Sequence, residues 1–270
     1  MKIRVLPTIL LLLIATTSCS DYSKMLKSRD MDSKSDFAIK LYNKGEYFKA
    51  LPLFEELITV YRGTKKAEQT YYYYSYTNYR IGDFETAAYD FENFSKTYPN
   101  SEFAEECSYM HAYCFFQNSP QFSLDQTNTY KAIEELQLFV DRYPQSKKIE
   151  ECNKLIDQLR EKLEEKDFQN GELYFNTAAY KAAITTYKNL IHDFPATKYR
   201  EEAMFKILRS SFLLAENSIE SKLIERYSET ITAFGEFNAG YPESKFKNKA
   251  SDILETSQRR LEKITKNQIQ

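Results

Sequence analysis

Residues 82–101 read GDFETAAYDFENFSKTYPNS. Gly82-Asp83-Phe84 has turn chemistry followed by an aromatic. Ala87 stands eleven residues before Tyr98, and Phe91 and Phe94 recur between them at helical spacing. Pro99 stops a helix at Tyr98, because proline has no N–H to give and disfavours helical backbone in the residue before it. Ser101 is of a type that caps a following helix. The stretch therefore predicts a turn, a helix and a second turn.

The same order returns along the chain. Tyr98-Pro99-Asn100-Ser101 recurs as Tyr143-Pro144-Gln145-Ser146, Phe194-Pro195-Ala196-Thr197 and Tyr241-Pro242-Glu243-Ser244. Tyr61-Arg62-Gly63-Thr64 is a further copy without the proline. Eleven residues before each aromatic stands Ala50, Ala87, Ala132, Ala183 or Thr230. Gly45-Glu46-Tyr47 parallels Gly82-Asp83-Phe84, with weaker echoes at Thr129-Tyr130 and Ala179-Tyr180. Glycine at this turn supplies the left-handed backbone that ends a first helix, and the small residue lets two helices approach closely. The unit resembles the tetratricopeptide repeat. That resemblance implies an all-α fold, a tetratricopeptide-repeat solenoid of about five helix-turn-helix repeats.

The aromatic-to-aromatic intervals are 37, 45, 51 and 47 residues. The second holds an extra polar loop, Asn118 to Thr127, and the last a loop at Glu216 to Ser221. The third exceeds the first by 14 residues and has no breaker from Ile149 to Phe168. Fourteen residues make about four helical turns, so one lengthened helix keeps its apolar stripe in phase.

The amino terminus reads as an address. Lys2 and Arg4 precede an apolar run from Val5 to Ala15, then small residues and Cys19. The run is too short to span a bilayer as a mature helix. A cysteine after small residues resembles the lipobox of bacterial lipoproteins, with Thr16 where leucine is usual. That resemblance implies cleavage before Cys19 and acylation of Cys19; the alternative is ordinary secretion with a free thiol. The expected organisation is a signal peptide at 1–18, a lipidated cysteine and flexible tether at 19–33, and the repeat array at 34–270. Within the array, 34–145 are the N-terminal repeats and 146–270 the C-terminal ones.

Composition excludes several classes. The chain has 37 Lys+Arg against 39 Asp+Glu and a formal charge of −2, which is not the balance of a nucleic-acid binder. Six glycines and seven prolines in 270 residues are few for a sandwich, a barrel or a dinucleotide-binding sheet. His111 and His192 are the only histidines, and no nucleophile stands with a base or a phosphate loop. No catalytic residue, cofactor or metal is expected. Cys107, His111 and Cys114 share one helix face, yet Cys107 lies eight residues after Pro99, as Cys152 does after Pro144, Ala203 after Pro195 and Ala250 after Pro242. That position asks for a small buried side chain rather than a ligand.

The chemistry-bearing feature is aromatic. The repeat register puts Tyr72, Tyr76, Tyr79 and Arg80 on the inner face of one helix, and Tyr109, Tyr113 and Phe116 at matching places in the next repeat. Tyr42 matches them in the first repeat, while Tyr71 and Tyr74 fall on the packing side. A tyrosine-lined groove suits an extended peptide with aromatic side chains, and Arg80 suits a carboxylate. The opposing reading is that the rings pack against the neighbouring helix.

Beyond the generic repeat, Ser123-Leu124-Asp125-Gln126-Thr127 and the run from Leu173-Tyr174-Phe175 through Tyr180-Lys181-Ala182-Ala183 to Phe194-Pro195 resemble segments of the BamD (ComL-type) outer-membrane protein assembly factors. The likeness covers about residues 34 to 250. It implies a non-enzymatic lipoprotein in the outer membrane, facing the periplasm, within the β-barrel assembly machinery. The implied partners are a barrel-inserting outer-membrane protein with tandem periplasmic domains and the C-terminal segments of unfolded outer-membrane proteins. Accessory lipoproteins and the membrane itself, through the lipid anchor, complete the set; nucleic acid is not among them. The polar stretch after Ala250 departs from the family pattern. The alternative is a periplasmic repeat scaffold serving other envelope or cell-wall machinery.

Overall fold

The computed structural model describes residues 21–269, so the leader and Cys19 lie outside the described residues. Residues 21–26 form a short helix. The helices that follow are α1 (Met31–Asn43), α2 (Tyr47–Val60), α3 (Ala67–Ile81), α4 (Phe84–Thr97), α5 (Ala104–Asn118) and α6 (Thr127–Arg142). After them come α7 (Ile149–Asn176), α8 (Tyr180–Asp193), α9 (Arg200–Glu216), α10 (Glu220–Gly240) and α11 (Lys247–Ile269). The described residues contain no strand. The helices make five helix-turn-helix pairs closed by α11, the tetratricopeptide-repeat architecture that the periodicity predicts.

The small residues explain the pairing. Ala50, Ala87, Ala132, Ala183 and Thr230 are all fully buried. So are Cys107, Cys152 and Ala203 at the matching place of the partner helices, with Ala250 at 1% exposure. Backbones therefore approach closely at two fixed points in each repeat, and a longer side chain there would force them apart.

The helix-pair turns follow one pattern. Gly45 and Gly82 have φ of +77° and +87°. Gly82 N–H donates to Tyr79 O and Asp83 N–H to Asn78 O, which satisfies the last carbonyls of α3. Ala178 takes the same role after α7, with φ +58°. The hydroxyl after each proline acts one turn earlier than expected. Ser101, Ser146, Thr197 and Ser244 accept from the backbone N–H two residues on, at 3.3, 3.1, 3.2 and 3.0 Å, and none caps the following helix. They stabilise the link between repeats, because each helix begins three residues after its hydroxyl.

One reading of the sequence needs correction. Residues 19–33 are not a free tether throughout, since 21–26 are helical and α1 begins at Met31. Asp30 caps α1, and the buried Lys34 ammonium donates to Leu26 O at 3.3 Å and to Glu56 at 2.6 Å. The polar stretch after Ala250 is helical to Ile269, with Ala250, Ile253 and Ser257 on its packed side.

The chain divides into two compact units. The first runs through Pro120 and includes Gln126–Ile156; the second takes Gln121–Asp125 and everything from Asp157. The division falls beyond the expected 145/146 boundary because the first turns of α7 pack with the N-terminal repeats. Tyr109 donates to Glu151 across that contact at 2.9 Å. Within the second unit, Phe168, Tyr187, Leu190, Phe205, Leu208 and Phe237 form the core. Gly171 lies in mid-helix there because a Cβ would sit 2.7 Å from Cζ and 2.8 Å from Cδ1 of the fully buried Tyr187.

Candidate peptide-binding site

Helices α1, α3 and α5, the first helix of each N-terminal repeat, carry the predicted aromatic residues within the first unit. Their rings form one connected series. Tyr42 meets Tyr73 edge-on with centroids 5.1 Å apart, and Tyr73 meets Tyr72 at 5.8 Å. Tyr72 lies 4.7 Å from Tyr76, Tyr76 6.3 Å from Tyr79, and Tyr79 6.4 Å from Tyr113. Tyr113 stacks on Tyr109 and on Phe116, each at 5.6 Å.

The members differ in exposure, and the difference divides the set. Tyr76 and Tyr109 are buried, at 8% and 3% exposure. Tyr76 packs edge-on against Phe91 at 5.0 Å and donates to Glu106 at 2.5 Å. Tyr109 packs against Phe139 at 5.7 Å and lies under the Lys148 ammonium at 4.0 Å. For these two the packing reading holds: they join one repeat to the next and offer no face to a ligand. Tyr42, Tyr72, Tyr79, Tyr113 and Phe116 are half-buried and keep surface open, and the exposed Arg80 lies beside Tyr42 and Tyr79.

Arg80 is positioned by two of these rings. It is hydrogen-bonded to the Tyr42 hydroxyl, which holds the guanidinium pKa above its usual value, and it lies 5.9 Å from the centre of the Tyr79 ring. Burial raises the Tyr42 pKa and the Arg80 contact only partly offsets it. Burial likewise raises the pKa of Tyr72, Tyr76, Tyr79 and Tyr109. These hydroxyls stay protonated at neutral pH; Tyr72, Tyr76 and Tyr109 donate to Glu106 and Glu151, and Tyr42 accepts from Arg80. The part-exposed rings can stack on aromatic or β-branched side chains, and the exposed guanidinium can take a carboxylate.

Several contributors escaped the repeat register. Tyr73 links Tyr42 to Tyr72. Phe103 packs on Tyr72 at 4.5 Å. Glu106 accepts from Tyr72 and Tyr76, and Glu151 from Tyr109. A signal for the acids exists, since Glu106 and Glu151 both stand seven residues after a repeat proline. Cys107, Cys114 and Cys152 are buried free thiols, pushed up by burial, to about 12 for Cys114 and about 11 for Cys152. Among the described residues no group of three His, Cys, Asp or Glu side chains is placed to hold a metal ion. No described helix is long and apolar enough to cross a membrane. Cys19 lies outside the described residues.

Comparison with known proteins places this geometry in context. The chain is similar to the outer membrane protein assembly factor BamD of Caulobacter vibrioides, 23% identical over 175 residues, which are 65% of this chain and 57% of that protein. The aligned part thus spans little more than half of that relative. BamD of Rickettsia prowazekii is 20% identical over 176 residues, 65% of this chain and 70% of that protein. Among solved structures, the tetratricopeptide-repeat domain of P58(IPK) is 14% identical, with a TM-score of 0.42 over 89% of this chain and 68% of that one. The TPR2AB domain of yeast Sti1 is 13% identical, with a TM-score of 0.39 over 84% of this chain and 98% of that one. The outer membrane lipoprotein family YfiO matches residues 36–222, well over half of the chain. This chain belongs to the YfiO family of outer membrane lipoproteins.

Proposed function

We propose that this protein is a non-enzymatic scaffold of outer-membrane protein assembly. It is anchored in the outer membrane by acylation of Cys19 and faces the periplasm. Its N-terminal repeats take the C-terminal segments of unfolded outer-membrane proteins, and the array docks the barrel-inserting protein through that protein's periplasmic domains. Family membership and the names of the two relatives support the assembly role. The observation that carries the peptide site is the set of half-buried rings, Tyr42, Tyr72, Tyr79, Tyr113 and Phe116, linked through Tyr73 and the buried Tyr76, with the exposed Arg80 beside Tyr42 and Tyr79. An extended strand with alternating aromatic side chains matches such a surface, and each ring contributes weakly, so capture is reversible.

The test is binding of a fluorescent peptide with the C-terminal sequence of an outer-membrane barrel protein. Tyr79→Ala and Arg80→Ala are each expected to weaken binding by roughly tenfold, since a central aromatic or arginine contact is worth more than about 1 kcal/mol. Thermal melting should stay unchanged. Tyr76→Ala is unsuitable, because it opens a hole against Phe91. If Arg80 reads the terminal carboxylate, amidating the peptide weakens wild-type binding and leaves Arg80→Ala unaffected. Unchanged affinity in both folded variants would remove the site assignment.

A further inference from the structure

We infer that the outer end of the first repeat is a second membrane-contacting surface, one that takes the headgroups of anionic phospholipids. The inference rests on the acyl anchor at Cys19 and adds an electrostatic contact beside it. The described chain begins two residues after that cysteine, and it does not wander from the repeat. Lys34, at 1% exposure, ties residues 21–26 down by donating to Leu26 O at 3.3 Å. Tyr61 OH donates to Asp32 at 2.7 Å, and Lys66 does so at 2.5 Å. These bonds bring the α2–α3 turn to the same end of the unit as the linker before α1.

Four exposed cations lie there: Lys27 and Arg29 on the linker, Arg62 and Lys65 on the turn. None of the four makes an ion pair with a described residue, whereas Lys24 and Lys66 are paired with Asp21 and Asp32. Asp30 is occupied in capping α1. Leu26 and Val60 are 39% and 48% exposed beside the cations. Unpaired lysine and arginine with two apolar side chains, next to an acylated residue, are the components of an interfacial contact. The acyl chains at Cys19 fix one point of the protein to the membrane, and a basic surface beside that point adds an electrostatic contact and fixes the orientation. The first repeat, with its end of the aromatic series, would then sit against the headgroups.

The experiment removes the acyl anchor and keeps the fold. The mature chain, without the leader at 1–18 and carrying Cys19→Ser, is sedimented with phosphatidylcholine vesicles with and without phosphatidylglycerol. Partition is expected only with phosphatidylglycerol, falling steeply as salt rises. Lys27→Gln, Arg29→Gln, Arg62→Gln and Lys65→Gln together should lower it by at least roughly tenfold, since each cation near such a surface is worth about a fivefold factor. Arg62→Gln with Lys65→Gln alone, confined to the turn, gives a smaller loss and guards against misfolding of the larger variant. Equal binding to neutral vesicles overturns the inference, as does full binding by the four-site variant. So does an equal loss from Lys245→Gln with Lys247→Gln and Lys249→Gln in the second unit, because net charge alone would then explain the binding. The mass of the wild-type protein tests the acyl anchor separately, so the failure of one reading is not mistaken for the failure of the other.

Discussion

Asp90 is the residue whose environment opposes its charge. It is 5% exposed, its one described side-chain bond is from Asn78 Nδ2 at 2.8 Å, and no cation pairs with it. Burial pushes its pKa up from 3.8 to about 6, with the Asn78 bond opposing and Asp83 adding a little. A carboxyl whose folded pKa is raised contributes stability that is fully present below the unfolded pKa and is lost as pH rises through the folded one. The window here runs from 3.8 to about 6. Wild-type protein should therefore lose stability on the order of 1–3 kcal/mol through this group on going from pH 4 to pH 7. Asp90→Asn keeps an oxygen for Asn78 and removes the charge. Melting temperatures at pH 5 and pH 8 should show the variant more stable at the higher pH, with the gap closing at the lower. A gap that stays constant with pH would mean that Asp90 is not the titrating group.

At the scale of elements, the helix ends carry the clearest test. Ala178 occupies the left-handed position that Gly45 and Gly82 fill elsewhere, with φ +58°. A Cβ in that conformation costs about 1–2 kcal/mol, part of which is offset because glycine loses more entropy on folding. Ala178→Gly is expected to stabilise the α7–α8 pair by roughly 0.5–1 kcal/mol, read by denaturant unfolding followed on the second unit. These turns show how much of the fold was legible. Aromatic–proline stops, small residues at a fixed distance and the glycine turns are local signals that local backbone physics carries into the structure unchanged, whereas the hydroxyl after each proline closes the link between repeats instead of capping the next helix. The length of α7 followed in the same way from the absence of a breaker. The site was legible only in part. Register places Tyr72 and Tyr76 on one helix face, but it does not say that Glu106 of the next repeat reaches both hydroxyls and draws Tyr76 inside. That depends on the rotation between repeats, which no single helix encodes. The helix at residues 21–26 was hidden for a related reason: Lys34 and Tyr22 hold it through tertiary contacts, and its own sequence has no apolar period.

For the molecule as a whole, the consequence lies in cooperativity. In a repeat array each unit contacts its neighbours, and stability is a sum of local and nearest-neighbour contributions. The chain has two compact units, each with its own buried core. Phe237, 1% exposed, anchors the second core, where it meets Phe205 at 5.9 Å. Phe237→Ala should cost about 3–5 kcal/mol locally, through lost burial and the cavity it leaves. Hydrogen exchange followed by mass spectrometry is expected to show faster exchange across α9, α10 and α11, with α2, α3 and α4 protected as in the wild type. Peptide binding to the ring series should survive that substitution, since every member of the series lies in the first unit. Equal loss of protection in both units would instead mean that the array unfolds as one body, and any core substitution would then reach the peptide site. Local loss is the outcome that the two separate cores predict, and it would let the capture of a strand and the docking of a partner be altered one at a time.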